Sequence, residues 1–224
     1  MMSSPNKQEP STSGFESDAQ SIAIQPLARK LNLVESIRVG LTVVALCCGI
    51  IVLGVSAHTL SVYNWTNLPT DFLLPIWPEN FDARPTVALV VGSTIIVVSN
   101  LVSLACSKVS SLRNKQMVHT AMSFSAPLVG LIAAVIAMAF FYSVNTSATD
   151  DTMQSWTCRW ETVIMTLPPH FGTLCKESRA GLYLSILLIP IEALVLGVAG
   201  WQFAVEKQAS QYGFTVRKGS PQLH

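Results

Sequence analysis

Along the 224-residue chain, charged positions collect at the two ends and in three intervening segments, leaving four long apolar runs between them. The runs lie at about 38–60, 86–107, 119–143 and 181–204. Each is close to the ~20 residues that a helix rising 1.5 Å per residue needs to cross ~30 Å of hydrocarbon. The first carries no charge from Val39 to Ala57, and the third ends in the aromatic cluster Phe140, Phe141 and Tyr142. The second holds Ser93, Thr94, Ser99 and Asn100, groups better placed against other helices than against lipid tails. The fourth contains a single acid, Glu192. This pattern predicts an all-α, integral membrane four-helix bundle over residues 27–205, with tails at 1–26 and 206–224.

The tails differ from the runs in kind. Residues 1–26 are rich in Ser, Gln, Glu and Pro with few large apolar side chains, the composition of a disordered segment. From Leu27 to Ile37 the apolar residues Leu27, Leu31, Val34 and Ile37 share one helical face, while Arg29, Lys30, Asn32, Glu35 and Arg38 fall elsewhere. Two readings fit: an interfacial lead-in helix whose basic side meets anionic headgroups, or a plain extension of the first span. The first run is not read as a signal peptide, because about forty residues precede it and three further spans follow.

Charge then sets an orientation. Lys7, Arg29, Lys30 and Arg38 precede the first span, Lys108, Arg113 and Lys115 follow the second, and Lys207, Arg217 and Lys218 follow the fourth. These three segments share one side of a four-span topology and hold ten of the 14 basic residues, leaving Arg84, Arg159, Lys176 and Arg179 to the other. By the positive-inside rule both termini are expected in the cytosol, in the plasma membrane or an endomembrane. Composition agrees: 12% of residues are charged, mean hydropathy is +0.45, and a soluble domain carries roughly 25% charge. A net charge of +1 lacks the basic excess that phosphate binding requires, so nucleic acid is not an expected partner.

The two loops assigned outside hold most of the candidate chemistry. Both Asn-x-Ser/Thr patterns, at Asn64 and Asn145, fall there and are candidate glycosylation sites, close to helix ends. The second outer loop, about 144–180, contains Cys158 and Cys175. In an oxidising lumen they read as a disulfide, with two free thiols as the alternative. Trp156 and Trp160, four residues apart, would share a face over that bridge or at headgroup level. In the first loop Pro69, Pro75, Pro78 and Pro85 oppose regular structure. Its apolar Phe72, Leu73, Leu74, Ile76 and Trp77 suit a segment lying back on the membrane or the bundle, or else a partner-docking patch.

Inside the runs, Glu192 stands out, because an acid at the bilayer centre costs about 2.5–3.5 kcal/mol on insertion scales. With no Lys or Arg at its depth it is expected to be neutral and hydrogen-bonded, with Ser93, Thr94 or Asn100 as intramembrane polar partners. Adhesion between helices and an ion or proton role are both open. Cys47 and Cys48 read as small apolar groups, and Cys106, beside Ser107 and Lys108, is a candidate for palmitoylation or for packing. Small residues form a stripe on the third run (Ser123, Ala126, Gly130, Ala134, Ala137) and another on the fourth (Gly181, Ser185, Ala193, Gly197), interrupted by Ile189. Such stripes allow close packing within a bundle or between copies. His58, His119, His170 and His224 lack metal-ligand spacing, and no catalytic or nucleotide motif occurs, so no enzyme activity, metal or cofactor is expected.

The Cys47-Cys48-Gly49 triplet lies inside a helix rather than in the large outer loop where tetraspanins carry theirs, and residues 61–85 lack the paired cysteines of claudins. Arg38 followed by the run CCGIIVLGVSAHTL from Cys47 to Leu60 instead resembles the opening helix of fungal MARVEL-type proteins. The likeness spans roughly residues 30–205, including the four-span layout, the cytosolic termini and the short inner loop. It implies a non-enzymatic protein of membrane organisation, vesicle trafficking or membrane apposition. Its partners would be membrane lipids, other membrane proteins or further copies of itself. The alternative is a small transporter or channel subunit built around Glu192.

Overall fold

The computed structural model describes residues 13–67, 76–78, 80–108, 116–146 and 151–218. Their elements are α1 (Ser13–Thr66), β1 (Phe81–Asp82), α2 (Arg84–Lys108), α3 (Gln116–Asn145), β2 (Asp151–Thr152), α4 (Met153–Arg159) and α5 (Phe171–Lys218). Four of the helices contain stretches long and apolar enough to cross a membrane: Asn32–Thr66, Arg84–Ser107, Phe124–Asn145 and Phe171–Val205. In hydrocarbon only a structure that satisfies its backbone hydrogen bonds internally is viable, which is why uninterrupted apolar runs of this length become helices. The chain divides into two units, Arg38–Trp201 and the terminal segments Met1–Ile37 with Gln202–His224. The bundle and its outer lobe belong to the first.

Two expected boundaries move. The N-terminal segment expected to be disordered to residue 26 is already helical from Ser13; residues 1–12 lie outside the described set. The fourth helix begins at Phe171, ten residues before the apolar run, so Cys175 stands on a helix rather than in a loop.

Burial along the helices follows a four-then-three spacing. The inward positions are Thr42, Ala45, Gly49, Val52, Ser56 and Thr59 on α1, and Leu89, Ser93, Ile96 and Asn100 on α2. On α3 they are Pro127, Gly130, Ala134, Ala137 and Phe141, and on α5 Gly181, Ser185, Leu188, Glu192, Val195 and Ala199. This is a heptad seam, the repeat by which the helices of a four-helix bundle stay in contact along their length. The residues that fill it are mostly small or polar, while Ile50, Ile51, Val91, Val98, Ile132, Ile136 and Leu194 face outward. The hydroxyls in the seam turn back on their own helices, Thr42 to the Arg38 carbonyl, Ser93 to Leu89 and Ser185 to Gly181. They therefore behave as compact spacers.

Small side chains bring the backbones close. A Cβ added at Gly92 of α2 would lie 2.8 Å from the Ala137 Cβ of α3. One at Gly49 of α1 would come within 3.2 Å of Val97 on α2, and one at Gly181 of α5 within 3.3 Å of Val55 on α1. Ala45, Val52, Ile96, Ala133, Ala134 and Leu188, drawn from all four helices, form the central cluster. On the third helix the predicted stripe faces inward at Gly130, Ala134 and Ala137; on the fourth it holds at Gly181 and Ser185 only, since Ala193 and Gly197 face out.

The segments between α1 and α2 and between α3 and α5 fold into one lobe at one end of the bundle. β1 and β2 pair in parallel, Phe81 with Asp151 and Asp82 with Thr152, joining the α1–α2 segment to the α3–α5 segment. Trp77, Met153, Phe171 and Leu174 are buried together, with Val62, Tyr63, Phe81 and Trp156 packed around them. Trp77 stands edge-on to Tyr63, Phe81 and Phe171 at 5.1, 5.1 and 5.9 Å between ring centroids, and its indole N–H donates to Thr66 Oγ1 at 3.0 Å. Ile76 and Trp77 thus lie back on the protein, whereas Phe72, Leu73 and Leu74 lie outside the described residues. Thr152 and Ser155 cap α4 reciprocally, and Cys158 on α4 is bonded to Cys175 on α5.

Replacing Gly92 with Ala should destabilise the bundle by about 1–3 kcal/mol, because α2 and α3 must separate to admit the methyl group. The same change at Gly54, where an added Cβ meets nothing within 4 Å, should stay within about 0.5 kcal/mol. Thermal unfolding of both variants in one detergent measures the contrast, and equal losses would dismiss the close approach. For the bridge, peptide mapping without reductant should recover Cys158 linked to Cys175, and replacing both by Ser should cost the outer lobe about 3 kcal/mol in the chain-entropy account. Both thiols alkylated in the native protein would contradict the bridge.

Candidate functional site

The heptad spacing on α5 carries Glu192 into the seam between Leu188 and Val195, and the same spacing on α2 carries Asn100 inward one turn beyond Ile96. Glu192 is 0% exposed and Asn100 2%. The Asn100 Nδ2 donates to Glu192 Oε1 at 2.8 Å, a hydrogen bond from one helix to another. The third wall is Gly130 on α3. A Cβ there would sit 3.0 Å from the Glu192 Cδ and 3.1 Å from each carboxyl oxygen, so the absent side chain is the space that the carboxyl occupies. Three helices meet at one carboxyl group.

Among the described residues no ion pair reaches this carboxyl, and Glu192 Oε2 has no hydrogen-bond partner. Chemically the arrangement is a buried carboxyl held by one amide. A proton relay would need a second titratable group in line with it, and Asn100 and Gly130, which meet the carboxyl, do not titrate. A side-chain bond between helices is adhesive in lipid, where the alternative is an unsatisfied polar group in hydrocarbon.

Of the three polar groups expected near Glu192, Asn100 is the one in contact. Ser93 donates to the Leu89 carbonyl at 2.6 Å and Thr94 to the Val90 carbonyl at 2.7 Å. A hydroxyl reaches a carbonyl one turn back on its own helix, whereas the longer amide of Asn100 projects across the seam. Gly130 was expected only as part of a packing stripe. Its position near the middle of the third run, level with a lone acid near the middle of the fourth, is the sequence signal that pairs them.

The remaining candidates lie apart from this centre. Cys47 is exposed and Cys48 and Cys106 are half-buried, all three as free thiols. Asn64 is exposed in the last turn of α1, and Thr66 of its sequon takes the Trp77 N–H. Asn145 ends α3 and its amide oxygen accepts the Thr152 hydroxyl at 2.7 Å, which ties the helix to β2. Trp156 and Trp160 do share a face, with ring centroids 5.8 Å apart. Arg159 lies 5.8 Å from the Trp156 ring and is paired with Asp151 at 3.1 Å. At the outer end of the bundle His58 Nδ1 and Glu177 Oε2 are 2.8 Å apart, linking α1 to α5.

Residues 2–209 match the family described as Domain of unknown function (DUF8762), and the chain belongs to that family. Neither the curated proteins nor the solved structures contain a match to it.

If Asn100 and Glu192 bond across the seam, their removal should be non-additive. Replacing each by Leu, singly and together, should give a coupling of about 0.6–1.7 kcal/mol in a denaturation cycle in mixed micelles. Glu192→Gln, which keeps the acceptor oxygen and the volume, should cost less than Glu192→Leu. Additive losses from the two Leu variants would show that the pair shares a depth without sharing a bond.

Proposed function

We propose that this member of the family is a non-enzymatic, four-span membrane protein that organises its lipid and protein neighbours from its outer surfaces. The observation that carries this reading is the closed interior. Near the centre of the bundle, a cavity bordered by Val52, Leu89, Ser93, Ile96, Ala134 and Leu188 holds about 10 Å³. A water molecule needs at least that much room together with two to four polar partners, and most of this lining is apolar. The midspan carboxyl is seated against Gly130 and bonded to Asn100, contacts that favour a structural role over a conducting one. The interactive surface is outside: a belt of exposed Ile, Val and Leu around the spans, and on the lobe Trp65, Ile164 and Leu167, of which Ile164 is 96% exposed.

In this reading the lobe faces a lumen or the cell exterior, an oxidising compartment where the Cys158–Cys175 bridge persists. The termini are cytosolic, in keeping with the distribution of Lys and Arg. The location is the plasma membrane or an endomembrane. The activity is membrane organisation, trafficking or apposition, as in the MARVEL-type proteins that the first span resembles. Lipids are its first partners, with other membrane proteins or further copies alongside.

Reconstituted into proteoliposomes, the protein should carry no proton or solute flux above empty vesicles. Glu192→Gln should retain the localisation and the neighbours of the parent when proximity labelling is run from the cytosolic tail. A flux that the Glu192→Gln variant abolishes would replace this reading with that of a transporter or channel subunit.

A further inference from the structure

The bundle is closed at its centre but not along one flank. Between α2 and α3 a valley of about 650 Å³ runs down the face of the bundle, within the 300–1,000 Å³ range of small-molecule sites. Its floor is Ala88, Gly92, Ala133 and Ala137, the residues that let the two backbones approach. Its walls are Val91, Ile95, Ile136 and Phe140, all exposed. Small residues between large ones make the valley: the helices touch at the floor while the flanking side chains stand clear.

One end of the valley is polar. Arg84 and Asp82 line its mouth, where α2 leaves the lobe. The Asp82 Oδ1 accepts the Arg84 backbone N–H at 2.8 Å, so this carboxylate is engaged at the start of the helix. Arg84 pairs with it only at 3.9 Å through Nε, and its side chain is 83% exposed. From Arg84 the lining continues down α2 to Ile95, eleven residues or ~16 Å at the helical rise. Half of a ~30 Å hydrocarbon layer is about the same depth. An apolar channel one leaflet deep, with a guanidinium at its outer end, has the dimensions and charge order of a single phospholipid tail beneath its phosphate. A second helix, ~10 Å across with its side chains, is too broad for the floor and would need an acid of its own at the mouth.

We propose that this valley holds one acyl chain of a glycerophospholipid from the lobe-side leaflet, with the lipid phosphate bound by Arg84. The proposal rests on the reading of the four helices as membrane spans and adds a defined lipid site to it. Arg84 supplies paired N–H donors that fit phosphate oxygens, and its aliphatic stem lies along the apolar mouth while the charge reaches the headgroup layer. Asp82 fixes the first turn of α2 and so holds the Arg84 backbone at that level.

The full chain in nanodiscs doped with phosphatidylcholine bearing a diazirine on one acyl chain, irradiated and mapped by peptide mass spectrometry, tests the site. Adducts should concentrate on Val91, Ile95, Ile136 and Phe140 relative to other outward residues such as Val98 and Leu194. Arg84→Gln, an exposed change that leaves the Cys158–Cys175 bridge in place, should lower that enrichment about fivefold, and Ala88→Leu should lower it by filling the floor. Adducts spread evenly around the belt and insensitive to Arg84→Gln would overturn the site while leaving the spans intact. A labelled belt with a silent valley would overturn it in favour of a protein occupant. Absence of adducts from all four helices would overturn both the site and the membrane reading on which it rests.

Discussion

Close approach of helix backbones at glycine, alanine and serine is the constraint from which the other features of this chain follow. In lipid, association gains nothing from hiding apolar surface, because the tails outside are as apolar as the side chains inside. What remains is dispersion, and a gap of 0.5–1 Å already forfeits a quarter to a half of that attraction. The seam must therefore be narrow, and the large residues are displaced to the outside. Gly92 against Ala137, Gly49 against Val97 and Gly181 against Val55 are three instances of one solution. The seat of the Glu192 carboxyl at Gly130 and the valley beside the Gly92–Ala137 contact are its consequences.

A seam of small residues packs well but discriminates poorly. Dispersion between small side chains is weakly directional, so on its own it sets the register only loosely. The Asn100–Glu192 bond removes that freedom, since any displacement of α2 against α5 leaves two buried polar groups without partners. A single buried Asn sets the register of water-soluble coiled coils in the same way. Gly130 extends the discrimination to α3, the position there at which no side chain opposes the carboxyl. The pair thus contributes more to which bundle forms than to how stable it is.

Much of this was legible in advance, for reasons that differ by residue. The four spans follow from hydropathy, and α2 starts and stops within two residues of its apolar run. The start of α5 is hidden in the sequence because Lys176, Glu177 and Arg179 resemble a loop to a hydropathy window, although Phe171, Leu174 and Cys175 just before them turn inward. The stripe on α5 was mistaken beyond Ile189 because Ala193 and Gly197 are also tolerated against lipid, and composition does not separate a small residue that packs from one that merely faces outward. Glu192 was identifiable by its cost, and Asn100 by its depth. Gly130 was legible only through its depth, level with the lone acid, since what it contributes is a space, and a sequence displays side chains rather than the gaps between helices. The β1–β2 pairing is two residues long and set by the meeting of two loops, so no local pattern announces it.

Two driving forces meet on the same helices. Below the lobe, α1 and α5 pack through Ser56, Thr59, Gly181 and Ser185; in the lobe they pack through Tyr63, Phe171 and Leu174. The change from small to aromatic is what a change of solvent would select, because in water burial of large apolar surface is favourable and the lobe is built as a soluble core is built. Trp77 is the joint, buried among aromatic rings while its N–H engages Thr66 at the end of α1. The logic of the lobe makes its outward Trp65, Ile164 and Leu167 conspicuous, since a core formed by hiding apolar surface from water has left these residues uncovered. On the proposed placement of the lobe at a membrane boundary, lipid or a partner would complete what the fold begins, and in that the lobe and the belt of the bundle would be alike.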